Sequence, residues 1–359
     1  MSFLKRRDML ARAMAAGLVP FLLPGTARSR DSGGDLGVIT WDGYQDPAFH
    51  GDYIERHGVS PSFEILGDDR ETLSKLRAGY AADIAQPCAF NVGAWVDAGV
   101  LRPMDDSRLE HWGDLAKSLR RLPRQLNDGR VWFVPVDWGV GSIIYRTDLL
   151  PDPDSSWWVL YDDTLAGRIG MQRSADAALG CAALATGVSD PWNMSDDERA
   201  VVLRLVEKQN AIIGRYWYDP IEAESGLQNG DLVACYGWND MYARLQAADV
   251  PVGFMCPREG YLCWVCGLSL LASGHQDDAM AYDFINAMTS PKAGAAVISN
   301  LGYGHANLKS FDLVSAAVLD MLALSDPDAI LENSEFIDQT LIRERDDYAQ
   351  LFLEAIDAL

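Results

Sequence analysis

Beyond residue 35 the chain alternates between short apolar runs rich in β-branched residues and longer segments with apolar residues three or four positions apart. The first pattern predicts buried strands and the second predicts amphipathic helices. Their regular succession favours an α/β fold with a mostly parallel sheet covered on both faces. The predicted strands are 36–40, 62–66, 82–85, 131–145, 169–171, 232–236, 252–256 and 261–271, and the predicted helices are 47–57, 69–79, 92–98, 176–186, 196–209, 277–288, 291–300 and 348–359.

The segment 131–145, VWFVPVDWGVGSIIY, is the longest run of buried-strand character and separates two apolar-periodic blocks. We predict that the chain crosses here from one lobe to another. Pro135, Gly139 and Gly141 are expected to interrupt the strand ladder, and Asp137 would face the gap at the resulting bend. A bent crossing is a hinge candidate, and hinges accompany ligand-driven closure. A buried strand with an ordinary glycine-rich turn is the alternative interpretation.

Length and charge limit the possible functions. A chain of 359 residues that is 48% apolar can bury a large core, and its length favours a division into two lobes. Its formal charge of −22 argues against nucleic acid or an anionic membrane as a partner. The same charge weakly favours cationic ligands, although acidity also serves solubility.

Residues 1–29 have the pattern of an export signal. A basic start is followed by the apolar run 13–23, which is too short to anchor the chain in a bilayer, and by small residues near Ala27. Arg6 and Arg7 resemble the twin-arginine type, whose cargo crosses the membrane already folded. We therefore expect the working compartment to be the bacterial periplasm.

The chain has six cysteines, and an exported protein can oxidise them to disulfides. Cys263 and Cys266 have the spacing of a redox motif, but such a motif opens a helix. Here the surrounding residues predict a strand, where positions three apart point to opposite faces, so two buried thiols are expected. Cys235 and Cys256 offer one pairing, but the sequence does not fix the connectivity.

Aromatic and acidic residues follow two predicted strands. Trp41, Asp42 and Tyr44 come directly after the first strand, and Cys88 and Phe90 follow the strand that ends at residue 85. In open α/β sheets, loops at the carboxyl ends of strands form the ligand crevice. These residues are therefore candidates for a binding site.

Ten segments in one order resemble the substrate-binding proteins of bacterial spermidine/putrescine ABC importers, over essentially the whole chain after the signal. No single segment is specific, but their order and spacing match. They are the export signal and residues 41–44, 87–90, 134–139, 167–169, 236–240, 257–260, 264, 301–303 and 307–308.

The resemblance implies a fold of the type II periplasmic binding protein class, with two α/β lobes, a hinge and a ligand cleft between the lobes. Residues 36–137 with 264–308 would form lobe 1, and residues 138–263 with 309–359 would form lobe 2. It also implies an exported, non-enzymatic, monomeric receptor without a cofactor, which binds a small amine and no nucleic acid. The closed form would be presented to an ABC transporter permease.

Members of this family hold a linear polyamine between aromatic rings and carboxylates. Ring faces attract cations, and a buried ammonium group needs a counter-charge. The ligand-binding residues that the resemblance implies, together with replacements suggested by their neighbours, are Trp41, Asp42, Tyr44, Cys88, Phe90, Asp137, Ser174, Trp238, Asp240, Trp264, Cys266 and Tyr303.

The chain departs from the family at the acidic positions. Two acids of the family align with Ser174 and Ala177, with Arg173 and Asp176 nearby, and the acid two residues after the crossover Trp is replaced by Cys266. Retained rings, fewer acids and a nearby arginine would suit a ligand with one amine and one carboxylate, such as an aminobutyrate, as well as spermidine.

Asp42, Asp137 and Asp240 are candidate replacements for the missing acids, because each lies beside a predicted cleft aromatic. Asp240, two residues beyond Trp238, is the favoured one. Surface solvation is the alternative role for Asp42 and Asp240.

Two other functions stay open. The five histidines show no HExxH or paired metal spacing, and no GxSxG motif occurs, but an acid pair of an exported glycoside hydrolase is not excluded by the sequence. A binding protein for an anion or a sugar would also be compatible with the rings and the missing acids.

Overall fold

The computed structural model describes residues 36–67, 69–123, 128–275, 278–337 and 342–357, so the predicted export signal at 1–29 lies outside the described residues. The strands are β1 (Gly37–Thr40), β2 (Ser62–Ile65), β3 (Ile84–Ala85), β4 (Leu101–Arg102), β5 (Val134–Arg146), β6 (Ile169–Gln172), β7 (Arg215–Trp217), β8 (Ala234–Trp238), β9 (Val252–Phe254), β10 (Tyr261–Leu271), β11 (Gly304–His305) and β12 (Ser334–Phe336). The helices are α1 (Gly51–His57), α2 (Asp69–Arg77), α3 (Ala89–Asp97), α4 (Ala175–Thr186), α5 (Asp196–Ile212), α6 (Pro220–Asn229), α7 (Asn239–Ala247), α8 (Ala279–Met288), α9 (Pro291–Leu301), α10 (Ala316–Met321), α11 (Pro327–Glu332) and α12 (Ile342–Asp357).

The sheet is mixed rather than mostly parallel. Its order is β2-β1-β3-β10-β5-β8-β6-β7. Within each half the strands are parallel, as β1 is to β2 and β3, and as β6 is to β7 and β8. The long central strands β5 and β10 run antiparallel to each other and to their neighbours β8 and β3, because the chain crosses the sheet once in each direction. The parallel prediction therefore holds for the halves and is wrong for the centre.

Two hydrophobic cores meet along the central strands. In β5, Val140 belongs to the first core and Ile143 to the second, and in β10 Leu262 belongs to the second core and Cys263 to the first. Buried residues in the range 311–336 pack in the first core, although the sequence placed them in lobe 2. The reason is that β12 pairs with the first residues of β10. The lobe limits as a whole stay a prediction.

The glycines of β5 do not interrupt the strand, contrary to the sequence-based expectation. β5 pairs continuously through Gly139 and Gly141. A Cβ on Gly139 would overlap the indole of Trp264, and one on Gly141 would overlap the phenol of Tyr236. These positions lack side chains because aromatic rings of adjacent strands lie over them. The register irregularity falls instead between Cys266 and Gly267 of β10, where Val136 of β5 is the extra residue between the paired Asp137 and Pro135.

Helices α6 and α7 were missed by the sequence analysis. The N-cap of α7 is Trp238 in extended conformation, without a side-chain cap hydrogen bond from Ser, Thr, Asp or Asn. Polar caps are the main start signal of a helix, and the beginning of α7 lacks this signal. Across the described part of the chain, none of the helices has the length and apolar character needed to cross a membrane.

Candidate functional site

Four of the proposed ligand-binding residues lie on one face of the central strands. Asp137 of β5 pairs with Cys266 of β10, while Trp264 and Trp238 pair with the two glycines of β5. Paired residues of antiparallel strands share a face, and so do residues two positions apart in one strand. Asp137, Trp238, Trp264 and Cys266 therefore stand on the same side of the sheet, at the junction of the two cores.

Three rings at this junction are half-buried. The rings of Trp264 and Tyr303 meet edge to face, with 4.8 Å between centroids. Trp238 packs edge to face on the buried ring of Trp217, with 5.4 Å between centroids. Burial first, and the nearby carboxylates second, raise the pKa of Tyr303, so its phenol is neutral. These rings offer apolar and cation-attracting surface to a ligand.

Asp240 is linked to this group of rings through the loop that carries Tyr303. The side-chain amide of Asn239 donates to the carbonyl oxygen of Gly302 at 2.6 Å. This bond joins the start of α7 to the loop, and Asp240 acts electrostatically on the phenol of Tyr303. Asp240, Tyr303 and Trp264 thus form one cluster.

The two oxygens of the Asp240 carboxylate have different surroundings. Oδ2 accepts a hydrogen bond from Arg244 Nη1 at 2.7 Å, and Arg244 also pairs with Glu224 at 2.7 Å. Oδ1 is buried and has no hydrogen-bond partner among the described residues. A buried acceptor without a donor costs roughly 1–3 kcal/mol, so a donor supplied by a ligand would stabilise it.

Tyr44, a residue of the first core, bonds to Asp137 of β5. The Tyr44 hydroxyl donates to Asp137 Oδ2, and Gln86 Nε2 donates to Oδ1 at 3.3 Å. Thr40 in turn donates to Gln86, which ties β1 to β5 through this network. Burial raises the pKa of Asp137 to about 7, although the hydrogen bonds oppose this shift. Asp137 is therefore a buried acid with its own partners and a poor counter-charge for an ammonium group.

This shift predicts a pH dependence of stability. Between the ordinary pKa of 3.8 and about 7, the folded state retains a proton on Asp137 that the unfolded chain has lost, so this group destabilises the fold increasingly as pH rises. Asp137→Asn should remove this effect, and the stability of the wild type relative to the variant should fall by about 2 kcal/mol from about pH 4.5 to about pH 6.5. Urea unfolding at both pH values measures the difference.

The exposed Asp312→Asn serves as the control for this experiment, since Asp312 lies on the surface of a short 3₁₀ turn. Its stability should keep the wild-type pH profile. Identical profiles for wild type and Asp137→Asn would show that Asp137 ionises normally.

The cysteines depart from the sequence analysis at two points. Cys266, expected to be a buried thiol, forms a disulfide with Cys88. Cys263 is a free buried thiol, as predicted. Cys235 and Cys256 are both free, the first buried and the second exposed, so their pairing is wrong. Cys88 and Cys266 are 178 residues apart in the sequence. They come together because Cys88 forms an isolated β-bridge with Cys266 of β10.

The disulfide fixes two ring-bearing segments to each other. Cys88 is the N-cap of α3, and Phe90 lies in the first turn of that helix. Phe90 is half-buried and packs against the second core, although α3 belongs to the first. The bond to Cys266 therefore holds Phe90 beside the strand that carries Trp264.

Trp41 and Asp42 lie nearer the surface, in the segment directly after β1. Trp41 is half-buried against the first core, and its indole Nε1 is enclosed without a hydrogen-bond partner among the described residues. Its ring makes no contact with those of Trp238 or Trp264 in the described structure. Asp42 is exposed and accepts from Gln45 at 3.2 Å. Asp42 thus lies at the surface, and its assignment as a ligand-binding residue stays a prediction.

Ser174 has a structural contact of its own. It is the N-cap of α4, and its hydroxyl accepts from the backbone N–H of Ala177. The guanidinium of Arg173 lies over the ring of the exposed Tyr218, 5.7 Å from its centroid. Neither residue has a described contact with the cluster around Trp264.

Asp176, in the first turn of α4, was noted from the sequence only as a neighbour of the aligned acidic positions. It is half-buried and acts electrostatically on the phenol of Tyr236, which lies two residues before Trp238 in β8. Within the described ranges, no group of three or more His, Cys, Asp or Glu side chains is arranged to hold a metal ion.

Two cores sharing a mixed sheet, with half-buried rings and a buried carboxylate at their junction, define the class of two-lobed solute-binding proteins. Comparison with known proteins gives the family. The family model described as "Bacterial extracellular solute-binding protein" matches residues 55–320, and the chain belongs to this family. It has the mixed α/β periplasmic binding protein fold and is the solute-binding component of an ABC transporter.

Three similar proteins indicate the range of the family. The putrescine-binding periplasmic protein PotF of Escherichia coli K12 is 24% identical over 301 residues, covering 79% of this chain and 80% of that protein. The crystal structure of the spermidine/putrescine substrate-binding protein PotD from Streptococcus pneumoniae aligns with a TM-score of 0.78 and 18% identity, covering 90% and 98% of the chains. The Atu4243–GABA receptor structure aligns with a TM-score of 0.74 and 18% identity, also covering 90% and 98%.

The family consists of binding proteins that catalyse no reaction, so this chain is not an enzyme and the alternative of an exported hydrolase is not retained. Its members are extracellular or periplasmic.

Proposed function

We propose that this protein captures a small ligand with one cationic amine and a short apolar spine, and delivers it to the permease of its ABC transporter. Trp238, Trp264 and Tyr303 enclose the spine, and Asp240 accepts from the amine. The observation that carries the proposal is the buried Oδ1 of Asp240, which has no donor among the described residues and belongs to the same cluster as the half-buried rings.

A single amine is favoured because Asp137 and the acidic position occupied by Cys266 offer no free counter-charge. Asp137 is held by Tyr44 and Gln86, and burial raises its pKa to about 7. Cys266, at the position of a family acid, is part of a disulfide. A second ammonium group buried without a carboxylate would be strongly unfavourable. Amines related to 4-aminobutyrate therefore fit better than spermidine, and one structural relative is a GABA receptor.

A diamine such as putrescine is the second candidate, and Asp176 is the observation that favours it. Asp176 lies close enough to Tyr236 to act on it electrostatically, and Tyr236 shares a sheet face with Trp238. An acid near Trp238 and another at Asp240 would give the two ends of a diamine separate partners. A relative of this chain is named for putrescine binding.

Ligand binding would stabilise the closed arrangement of the lobes, because contacts from both lobes form only there. The rings come from strands and loops of both cores, with Phe90 of the first lobe already against the second core. The periplasm is the proposed compartment, and the Cys88–Cys266 disulfide supports it because such bonds persist where thiols are oxidised.

Asp240→Asn tests the proposed function. A thermal-shift panel of 4-aminobutyrate, putrescine, agmatine and spermidine identifies the best ligand, and calorimetry measures its affinity. We expect a monoamine to bind most tightly and Asp240→Asn to weaken it about tenfold or more, since a charge-assisted hydrogen bond is lost.

Glu207→Gln is the matched control, because Glu207 is an exposed carboxylate on α5. Its affinity should equal that of the wild type, and the ligand-free melting temperature of both variants shows that they fold. Affinity that increases with a second amine would favour the diamine. Unchanged affinity in Asp240→Asn would reject the assignment of Asp240.

A further inference from the structure

A cavity of about 450 Å³ opens between the 3₁₀ turns that precede β5 and the residues that lead into this strand. Its lining includes Trp112, Arg120, Arg121, Arg130 and Trp132. The volume is within the range of small-molecule sites. None of the residues that line it belongs to the ring cluster around Trp264 or to the set predicted from the sequence.

The charge of this segment is opposite to that of the chain. Residues 117–130 contain five basic residues and one acidic residue, whereas the whole protein has a formal charge of −22. A concentration of positive charge in an acidic protein raises the local concentration of anions. The described residues of the lining include three arginines and no acidic residue, although Asp128 bonds to Arg130 and Trp132 beside it.

Two of these arginines have no counter-ion among the described residues. The guanidinium of Arg120 lies over the ring of Trp112, 5.7 Å from its centroid, and its Nε is buried without a hydrogen-bond partner in the described chain. Arg121 is exposed at the same cavity. Arg130 differs, since it pairs with Asp128 at 2.7 Å and covers the ring of Trp132.

The acidic residues near Arg120 also leave it without a counter-ion among the described residues. Arg120 also borders a neighbouring cavity that contains Asp328 and Glu332, but neither carboxylate forms an ion pair with it within the described residues. The ring of Trp112 flanks the guanidinium of Arg120 on one side, 5.7 Å from the ring centroid.

We propose that this cavity binds a small oxyanion, a carboxylate or a phosphate, through Arg120 and Arg121. A guanidinium matches both groups with two parallel hydrogen bonds, and a bound oxyanion would satisfy the buried Nε of Arg120. The positive charge of the lining excludes the amines bound at Asp240. The cavity is therefore a separate site for a second class of solute.

Calorimetry at low ionic strength tests the proposal, with inorganic phosphate and succinate as separate probes. We expect at least one probe to bind the wild type in a saturable one-to-one reaction, and the probe that binds identifies the kind of oxyanion. Arg120→Gln/Arg121→Gln should weaken this binding at least about tenfold, because charge-assisted hydrogen bonds are lost. Added salt should weaken binding to the wild type.

Three variants make the outcome specific. Arg204→Gln removes an exposed arginine of α5 and should leave anion binding unchanged. Arg120→Lys/Arg121→Lys keeps the charge without the planar fork, and its affinity should lie between those of wild type and the double Gln variant, even if that variant folds poorly. Asp240→Asn should not affect anion binding. The proposal is overturned if neither probe binds, or if the Gln and Lys variants bind as tightly as the wild type.

Discussion

Removing the Cys88–Cys266 disulfide is expected to lower the free energy of unfolding by about 2–5 kcal/mol. The bond joins residues 178 positions apart, so it restricts a large part of the unfolded chain. The double variant Cys88→Ala/Cys266→Ala avoids leaving an unpaired thiol in a buried position. Urea unfolding followed by tryptophan fluorescence measures the loss, which a dithiol reductant should reproduce in the wild type.

Cys256→Ala is the control, because Cys256 is an exposed free thiol. This variant should have wild-type stability, and the reductant should have no effect on Cys88→Ala/Cys266→Ala. We further expect weaker ligand binding without the disulfide, since the bond holds Phe90 beside the strand of Trp264. Equal stability of oxidised and reduced wild type would show that the bond contributes nothing to the fold.

The order of strands and helices was predictable because it follows from the local spacing of apolar residues. The antiparallel centre of the sheet was not, since strand direction depends on where the chain returns. Pairing of β10 with both β3 and β5 is decided by contacts between segments more than a hundred residues apart. The disulfide was missed for the same reason, because Cys88 meets Cys266 only through this pairing.

The glycines of β5 show that contacts between strands can outweigh a local sequence rule. Glycine in a strand ordinarily indicates a break or a bulge. Gly139 and Gly141 instead leave space for the rings of Trp264 and Tyr236, which come from the two neighbouring strands. Only the register reveals this, and the register follows from the whole sheet.

The ion pair between Asp240 and Arg244 could have been predicted from the sequence. Asp240 and Arg244 are four residues apart, the spacing at which opposite charges pair on a helix. The pairing was not predicted because no helix was assigned to this segment, whose start lacks a polar N-cap. The sequence could therefore nominate Asp240 as a site residue, but it did not reveal that one carboxylate oxygen is engaged and the other is without a donor.

Replacing Trp264 by Ala is expected to reduce the affinity for the best amine of the panel roughly 30-fold or more, about 2 kcal/mol. Its indole fills the space above Gly139 and meets the ring of Tyr303, so its loss removes both the wall of the site and the support of a second ring. Trp264→Phe keeps an aromatic face and should recover most of the affinity. Calorimetry on the three proteins gives the ratio.

Trp158→Ala is the matched control, since Trp158 is a surface tryptophan with 43% of its area exposed. Its affinity should be that of the wild type. The ligand-free melting temperature separates a folding defect from a lost contact, and Trp264→Phe provides a second measure because its ring still covers Gly139. If Trp264→Ala folds and binds the amine as tightly as the wild type, the ring cluster at the junction of the two cores is not the ligand site, whereas a loss restored by Phe ties recognition to an aromatic face at this position.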